Sequence, residues 1–391
     1  MGFWLIVVVN NLTKFIIKVI LMKNLHIVMC SDLEQTNGGC EIWLSYFVPE
    51  VVDRKLYKEI SVYHVNNENR SKYVKQNNVN YYSCSKRSNG ILNVFRFSCF
   101  ALWHLKKNET FEDDIILVGS TFVALVGIFH KLLSMKNPRI CTWIRSIAVE
   151  ELRLRSPYLA ILSNFLERVL LRFSHVIIMN GRDTYEYYTN KYNITAKSFI
   201  IENAVSNKKL FMLSKKSDSG KFNLAYMGRY VAAKGMDLYI ESVKRFLKKY
   251  DFINFHAYGH GELEGKLHDA GIIDHGRYTL EDVPSILQFV DGVAFFNRSS
   301  IAGGVSHSLL ECMAGGKVII AWNNKIHNQV CTSDSAFLVE ENNLDELEKV
   351  YIHGLSNWRL LNQKSCRARQ VAAMFSIEKH VDKFQRIMGL Q

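Results

Sequence analysis

Three short segments of the chain place glycine beside charge in a way that could do chemistry. In Leu224–Gly235 (LAYMGRYVAAKG) an apolar run breaks at Gly228, presents Arg229 and Lys234, and leads into a helical pattern. Gly228 would let a ligand approach the backbone closely, and two cations beside a helix N-terminus would hold a diphosphate. Tyr258-Gly259-His260-Gly261-Glu262 follows the next apolar run and has the Gly-x-Gly form of a phosphate- or base-proximal turn. Taken alone it is equally a plain turn, with His260 a polar loop residue. The third segment sets Gly303 and Gly304 before Val305, Ser306 and His307, with Glu311 following between Leu310 and Met313. Ser306 or Ser308 would cap the helix that starts there, leaving its first amides to face an anion. A carboxylate in apolar company is costly unless hydroxyls or a cation meet it, and ribose hydroxyls would serve.

These segments need elements to hold them. Short apolar runs alternate with helical patterns throughout, the signature of parallel sheets with crossover helices. In the N-terminal half, strands are expected at 25–30, 115–118, 140–144, 176–179 and 199–201, with helices near 40–51, 94–106, 122–133 and 158–173. Polar residues cluster from Asn203 to Ser219, and a new alternation starts at Phe222. Strands are expected at 222–226, 252–257, 292–296 and 318–322 and helices at 236–250, 283–290 and 306–314, so that each glycine segment follows a strand. Ligands of doubly wound sheets bind at that edge. Arg145, Glu150 and Glu151, after the 140–144 strand, are candidates for contacts with a second substrate; ion pairing within the fold is the alternative reading.

Order and spacing of these segments resemble the donor half of family 4 glycosyltransferases, the retaining group with the GT-B fold. The family pattern is Gly-Arg, then Lys-Gly, then Gly-x-Gly, then a glutamate, seven residues and a second glutamate before a Leu-Glu-Ala-Met-Ala-like helix. The resemblance spans Phe222 to about Phe384, including Ala372-Ala373-Met374-Phe375-Ser376. It implies that Arg229 and Lys234 hold the donor diphosphate, that Glu311 binds the ribose, and that the Gly304 loop meets the transferred sugar. Asn37-Gly38-Gly39-Cys40-Glu41 looks like the family's first glycine-rich loop, which makes Gly38 and Gly39 donor-site candidates. Ile201-Glu202-Asn203-Ala204-Val205 is similar to its pre-linker element. One position departs: the first glutamate is replaced by Gly303. Either His307 or Asn297 then supplies its contacts, or sugar preference changes, or activity weakens.

The resulting expectation is an α/β protein of GT-B type, two Rossmann-like doubly wound domains facing a central cleft. Its parts would be an apolar extension (1–22), an acceptor domain (23–205), a linker (206–220), a nucleotide-sugar domain (221–366) and a C-terminal helix returning to the first domain (367–391). The expected partners are a nucleotide-diphosphate-sugar and a glycan or lipid-linked acceptor, as in lipopolysaccharide, capsule or exopolysaccharide synthesis. No cofactor is expected. No Asp-x-Asp occurs for a metal–diphosphate clamp, and the eight cysteines lack zinc-site spacing and fit small core residues of a cytoplasmic protein. A GT-B epimerase or phosphorylase and a non-catalytic sugar-nucleotide binder remain as rivals.

The 391 residues carry a net charge of +12. Up to Lys209 there are 27 Lys and Arg against 17 Asp and Glu, leaving 22 against 20 beyond. The basic half could face an anionic membrane surface; a nucleic-acid partner is not expected, since neither a known motif nor an aromatic stacking platform accompanies the charge. Asn10, Asn11 and Lys18 break the apolar extension, which leaves an upstream-start artefact, a membrane-surface helix and an anchor open.

Overall fold

The computed structural model describes residues 23–33, 38–86, 90–110, 112–213, 220–299 and 303–390, without the side chains of residues 151, 154, 155 and 196. The apolar extension and Asn37 lie outside the described residues.

The first sheet contains β1 (Leu25–Asp32), β2 (Ile60–Asn66), β3 (Lys72–Gln76), β4 (Val79–Ser85), β5 (Asp114–Val118), β6 (Arg139–Ile144), β7 (Val176–Met179) and β8 (Ser198–Ile200). Their order is β3-β4-β2-β1-β5-β6-β7-β8, parallel except for the β3–β4 pair. The second holds β9 (Phe222–Arg229), β10 (Ile253–His260), β11 (Ile273–Asp274), β12 (Gly292–Phe295), β13 (Val318–Asn323) and β14 (Phe337–Glu340), all parallel in the order β11-β10-β9-β12-β13-β14. Strands buried on both faces need helices on both sides. In the first domain these are α1 (Gly39–Asp53), α2 (Ile91–Asn108), α3 (Ala124–Leu133), α4 (Ala148–Arg155), α5 (Pro157–Phe173) and α6 (Arg182–Tyr192). The second has α7 (Met236–Leu247), α8 (Val283–Phe289), α9 (His307–Ala314), α10 (Leu344–Lys349) and α11 (Trp358–Ala372), and α12 (Ile377–Ile387) closes the chain. This is the GT-B arrangement.

The strands and helices expected from the alternation lie within a few residues of these bounds. Missing from that expectation were the strands β2, β3, β4, β11 and β14 and the helices α4, α6 and α10. Asn and Ser interrupt β2 and β4, and β3 is exposed along its whole length, so neither carries a clean apolar run. Asn77 and Asn78, both at left-handed φ (48° and 63°), make the tight hairpin joining β3 to β4. The segment from Arg367 to Met388, expected as one amphipathic stretch, is two helices. Ser376 ends the first by capping α12, accepting from Lys379 N, and forms a parallel bridge with Val205 at the end of the first domain. Ile377, Val381, Phe384 and Met388 then enter the first domain's core with Trp43, Phe47 and Trp143. Trp43 Nε1 donates to His380 Nε2 at 3.1 Å, and His380 Nδ1 donates to Glu202 O at 2.7 Å. Both ring nitrogens are used in a neutral imidazole, whose pKa burial pushes down to about 3.

The cysteine expectation is corrected in part: Cys84, Cys141, Cys312 and Cys331 are buried and Cys30 and Cys40 half-buried, but Cys99 and Cys366 sit on exposed helix faces. None is in a disulfide.

Candidate functional site

The carboxyl edge of the second sheet is built by close backbone approach. β10 runs in register with β9, pairing Gly259 with Gly228 and His260 with Arg229. A Cβ on Gly259 would lie 1.9 Å from Gly228 O, and one on Gly261 2.6 Å from Tyr230 O. Both residues have positive φ, so glycine is required twice over. Gly235, at φ 76°, is pressed against Phe296 O in the same way. Tyr226 Oη lies 2.9 Å from Arg229 O and 3.2 Å from Lys234 O, tying the two ends of the cationic loop. Arg229 is exposed and Lys234 half-buried.

Glu311 is buried on α9 and turned toward the first domain, where Tyr46 Oη on α1 donates to its Oε1 at 2.6 Å. Burial raises the carboxyl pKa to about 7, opposed by the Tyr46 hydrogen bond. Tyr46 was not singled out from the sequence; nothing local marks it among the apolar residues of α1.

The Gly303–Ser306 turn meets the first domain at short range. Gly304 N donates to both oxygens of Asp183 (3.1 and 3.0 Å), Val305 N to Asn180 O at 3.3 Å, and Asn203 Nδ2 donates to Val305 O at 2.6 Å. The amides of this turn, which precede α9, are thus taken by Asp183 and Asn180. Ser306 occupies the cap position of α9 without a capping hydrogen bond, its Oγ meeting Ser308 Oγ instead. A Cβ on Gly303 would lie 2.8 Å from Thr184 Cγ2. The departure at this position therefore goes with a close approach of α6, whose Thr184 methyl a side chain here would have to displace.

Arg145 is buried beside this turn. Its Nη2 donates to Asn203 Oδ1 (2.6 Å), to Gly39 O (3.1 Å) and toward His307 Nε2 (3.3 Å), and the guanidinium lies over the Trp43 ring. Among the described residues its Nε and Nη1 meet no oxygen or nitrogen acceptor. His307 Nδ1 donates to Ala204 O at 3.2 Å, so both its nitrogens have protein partners, and burial with the adjacent Arg145 keeps it neutral. This removes His307 as a stand-in for the missing glutamate. Asn297 is buried, its carbonyl accepting from Asn324 Nδ2. Gly38 gives room to Glu41, whose Oε2 would lie 2.0 Å from a Cβ there, while Gly39 faces open space.

Glu150 accepts from Tyr187 Oη at 2.5 Å and pairs with Arg153 at 2.9 Å, a structural role; Glu151 lies in α4 with its side chain outside the description. The structure therefore brings Gly38, Gly39, Arg145, Gly303, Gly304, Val305, Ser306, His307 and Glu311 to one interdomain seam, and sets Gly228, Arg229, Lys234, Gly259 and Gly261 on the edge of the second sheet. No cluster of metal-ligating side chains occurs among the described residues.

Two doubly wound domains joined along such a seam define the GT-B class, and known proteins agree. Residues 221–357 match the group 1 glycosyl transferases. An uncharacterized glycosyltransferase of Haemophilus influenzae is 27% identical over 172 residues, 41% of this chain and 47% of the relative, so the alignment spans about half of that protein. One from Methanocaldococcus jannaschii is 22% identical over 395 residues, covering 88% of the chain and 97% of the relative. Among solved structures, sucrose-phosphate synthase from Thermosynechococcus elongatus superposes with a TM-score of 0.77 at 13% identity, covering 94% of this chain and 98% of that one. Anabaena HepE, solved with UDP and glucose, gives 0.72 at 14%, covering 95% and 100%. The chain has the GT-B fold, and its residues 221–357 are similar to the group 1 glycosyl transferases.

Proposed function

We propose that the chain is a retaining glycosyltransferase that moves a sugar from a nucleoside-diphosphate sugar to a glycan or lipid-linked glycan acceptor of the cell surface, working at the cytoplasmic side of the membrane. The observation that carries this reading is Glu311: a buried carboxylate at the interdomain seam that accepts a hydrogen bond from Tyr46 of the opposite domain. Ribose hydroxyls would replace the Tyr46 hydroxyl. HepE binding UDP and glucose supports the same donor class. As the bond from the anomeric carbon to the diphosphate oxygen breaks and the bond to the acceptor oxygen forms on the same face, Arg229 and Lys234 meet the charge of the departing diphosphate, and no metal is assigned to that task. Arg145, whose Nε and Nη1 meet no oxygen or nitrogen acceptor among the described residues, would meet an anionic group of either substrate.

Gly303 motivates a second reading, a homologue that binds a sugar nucleotide without transferring it. A thermal-shift panel of nucleoside diphosphates and nucleotide sugars, on wild type and on Arg229→Ala/Lys234→Ala, tests the donor site. Stabilisation by one donor, lost in the double variant, is expected; no stabilisation by any nucleotide would defeat the proposal. Donor stabilisation without product across a panel of acceptors would favour the second reading.

A further inference from the structure

Two faces of the first sheet are covered very differently. On one, α1 and α12 bury their apolar side chains in a common core, and among the described residues neither helix exposes a large apolar side chain. On the other, α3 packs against both α2 and α5, and beneath them lies a second complete core containing Phe97, Ala101, Val126 and Leu170. These helices have satisfied their inward faces, yet their outward faces are apolar too.

On α2 the exposed stripe is Leu92, Phe95 and Trp103, the last 61% exposed. α3 exposes Phe129 and Leu132. α5 adds Ile161 and Phe165, 70% and 61% exposed. Apolar area of this kind on three neighbouring helices is beyond what scattered surface residues explain. The exposed charges on these three helices are of one sign: α2 and α3 contain no Asp or Glu, and the single acid of α5, Glu167, is buried against Ser120, Tyr188 and Tyr192. From Arg70 to Lys107 the sequence has eight Lys and Arg and no acid. Lys106 and Lys107 end α2, Lys107 over the Trp103 ring, and Arg168 and Arg172 end the exposed face of α5.

We infer that the outward face of α2, α3 and α5 is a docking surface for an anionic lipid bilayer, with its aromatic and aliphatic side chains entering the interface and its Lys and Arg meeting lipid phosphates. The charge decides between occupants. A second copy of the chain would bring the same uncompensated cations face to face, whereas an anionic leaflet complements both the apolar area and the sign. The placement also suits the site, because α2 and α3 begin at the carboxyl edge of the sheet, where the seam with the second domain lies. This locates the membrane expectation on a surface and is independent of the transferase reading.

The test is flotation of the full chain with vesicles of phosphatidylcholine alone or with phosphatidylglycerol. One variant replaces apolar anchors (Phe95→Ser/Trp103→Ser/Leu132→Ser/Phe165→Ser) and another only charges (Lys106→Gln/Lys107→Gln/Arg168→Gln/Arg172→Gln). Trp358→Ser/Met374→Ser, exposed apolar residues of the second domain, is the control. Wild type and control are expected to float with phosphatidylglycerol vesicles, each variant falling on the order of a hundredfold in partitioning. Should the apolar variant misfold by circular dichroism, the charge variant still decides. Undiminished flotation of both variants, or no flotation of wild type, overturns the inference. So does self-association of wild type that the apolar variant abolishes while vesicles go unbound. Nucleotide stabilisation measured on the same samples reports on the donor site separately.

Discussion

The two domains share a topology and build their cleft edges by different means. The second domain shapes its edge with backbone: Gly259 and Gly261 let neighbouring segments approach to distances no side chain allows, and Tyr226 holds the cationic loop by its carbonyls. The first domain uses side chains from separate elements: Tyr46, Arg145, Asp183 and Asn203 reach across to α9 and the turn before it. Their outer surfaces differ as well, since the first carries the apolar, cationic helix face. On the proposed reading, one domain holds a small anionic ligand and the other meets its partner domain and a membrane surface.

The sharpest way to break this comparison is to remove the cations of the second domain. Arg229→Ala/Lys234→Ala is expected to lower kcat/KM by roughly a thousandfold or more, judged by the loss from single electrostatic donors, while leaving vesicle flotation unchanged. Persistence of turnover would move the diphosphate site elsewhere. Next in size is Phe384→Ala, which empties a fully buried position between α12 and the first domain. A loss of about 3 kcal/mol is expected, with denaturation showing the first domain melting ahead of the second; a single unshifted transition would refute the proposed dependence on α12.

Glycines should respond in opposite ways in the two domains. Gly259→Ala forces a Cβ to within 1.9 Å of Gly228 O at a positive φ and is expected to cost about 2 kcal/mol. Gly39→Ala meets nothing within 4 Å and should leave the melting temperature near that of wild type.

Buried histidines make a smaller contribution that spans both domains. His380 and His327 have pKa values depressed to about 3 and about 4 from an ordinary 6.5. The unfolded chain binds these protons first, so stability is full above the unfolded pKa and falls as pH drops toward the folded values. From about pH 7 to about pH 5.5 each should cost roughly 1 kcal/mol, read as an acid-side decline in chemical denaturation. The smallest effect is expected of Tyr46→Phe. Its hydroxyl stabilises the Glu311 carboxylate, so its loss should move the midpoint of pH-dependent donor binding upward from about 7. A downward move would sink the proposed contact.

Much of the second domain was legible because its site is local. Gly228-Arg229 and Lys234-Gly235 stand at the end of one strand and Gly259-x-Gly261 at the end of the next, and close backbone approach leaves glycine as its mark in the sequence. The first domain was less legible for the converse reason. Tyr46 and Glu311 are 265 residues apart, and Arg145 and His307 are 162; no local pattern announces such pairs. β2 and β4 escaped because Asn and Ser, tolerated through side-chain hydrogen bonds such as Asn66 to Ser83, break the apolar runs.

By itself the sequence determined the alternation of strand and helix, the change of domain near the polar linker, the glycine loops and the excess of positive charge in the first half, since each follows from residues close together in the chain. Only the tertiary structure decided that Asp183 and Asn180 take the amides of the Gly304 turn, that the Thr184 methyl comes close to Gly303, and that three apolar helix faces lie side by side against solvent. Those are contacts between elements, and their free energies depend on which groups folding brings within reach of one another.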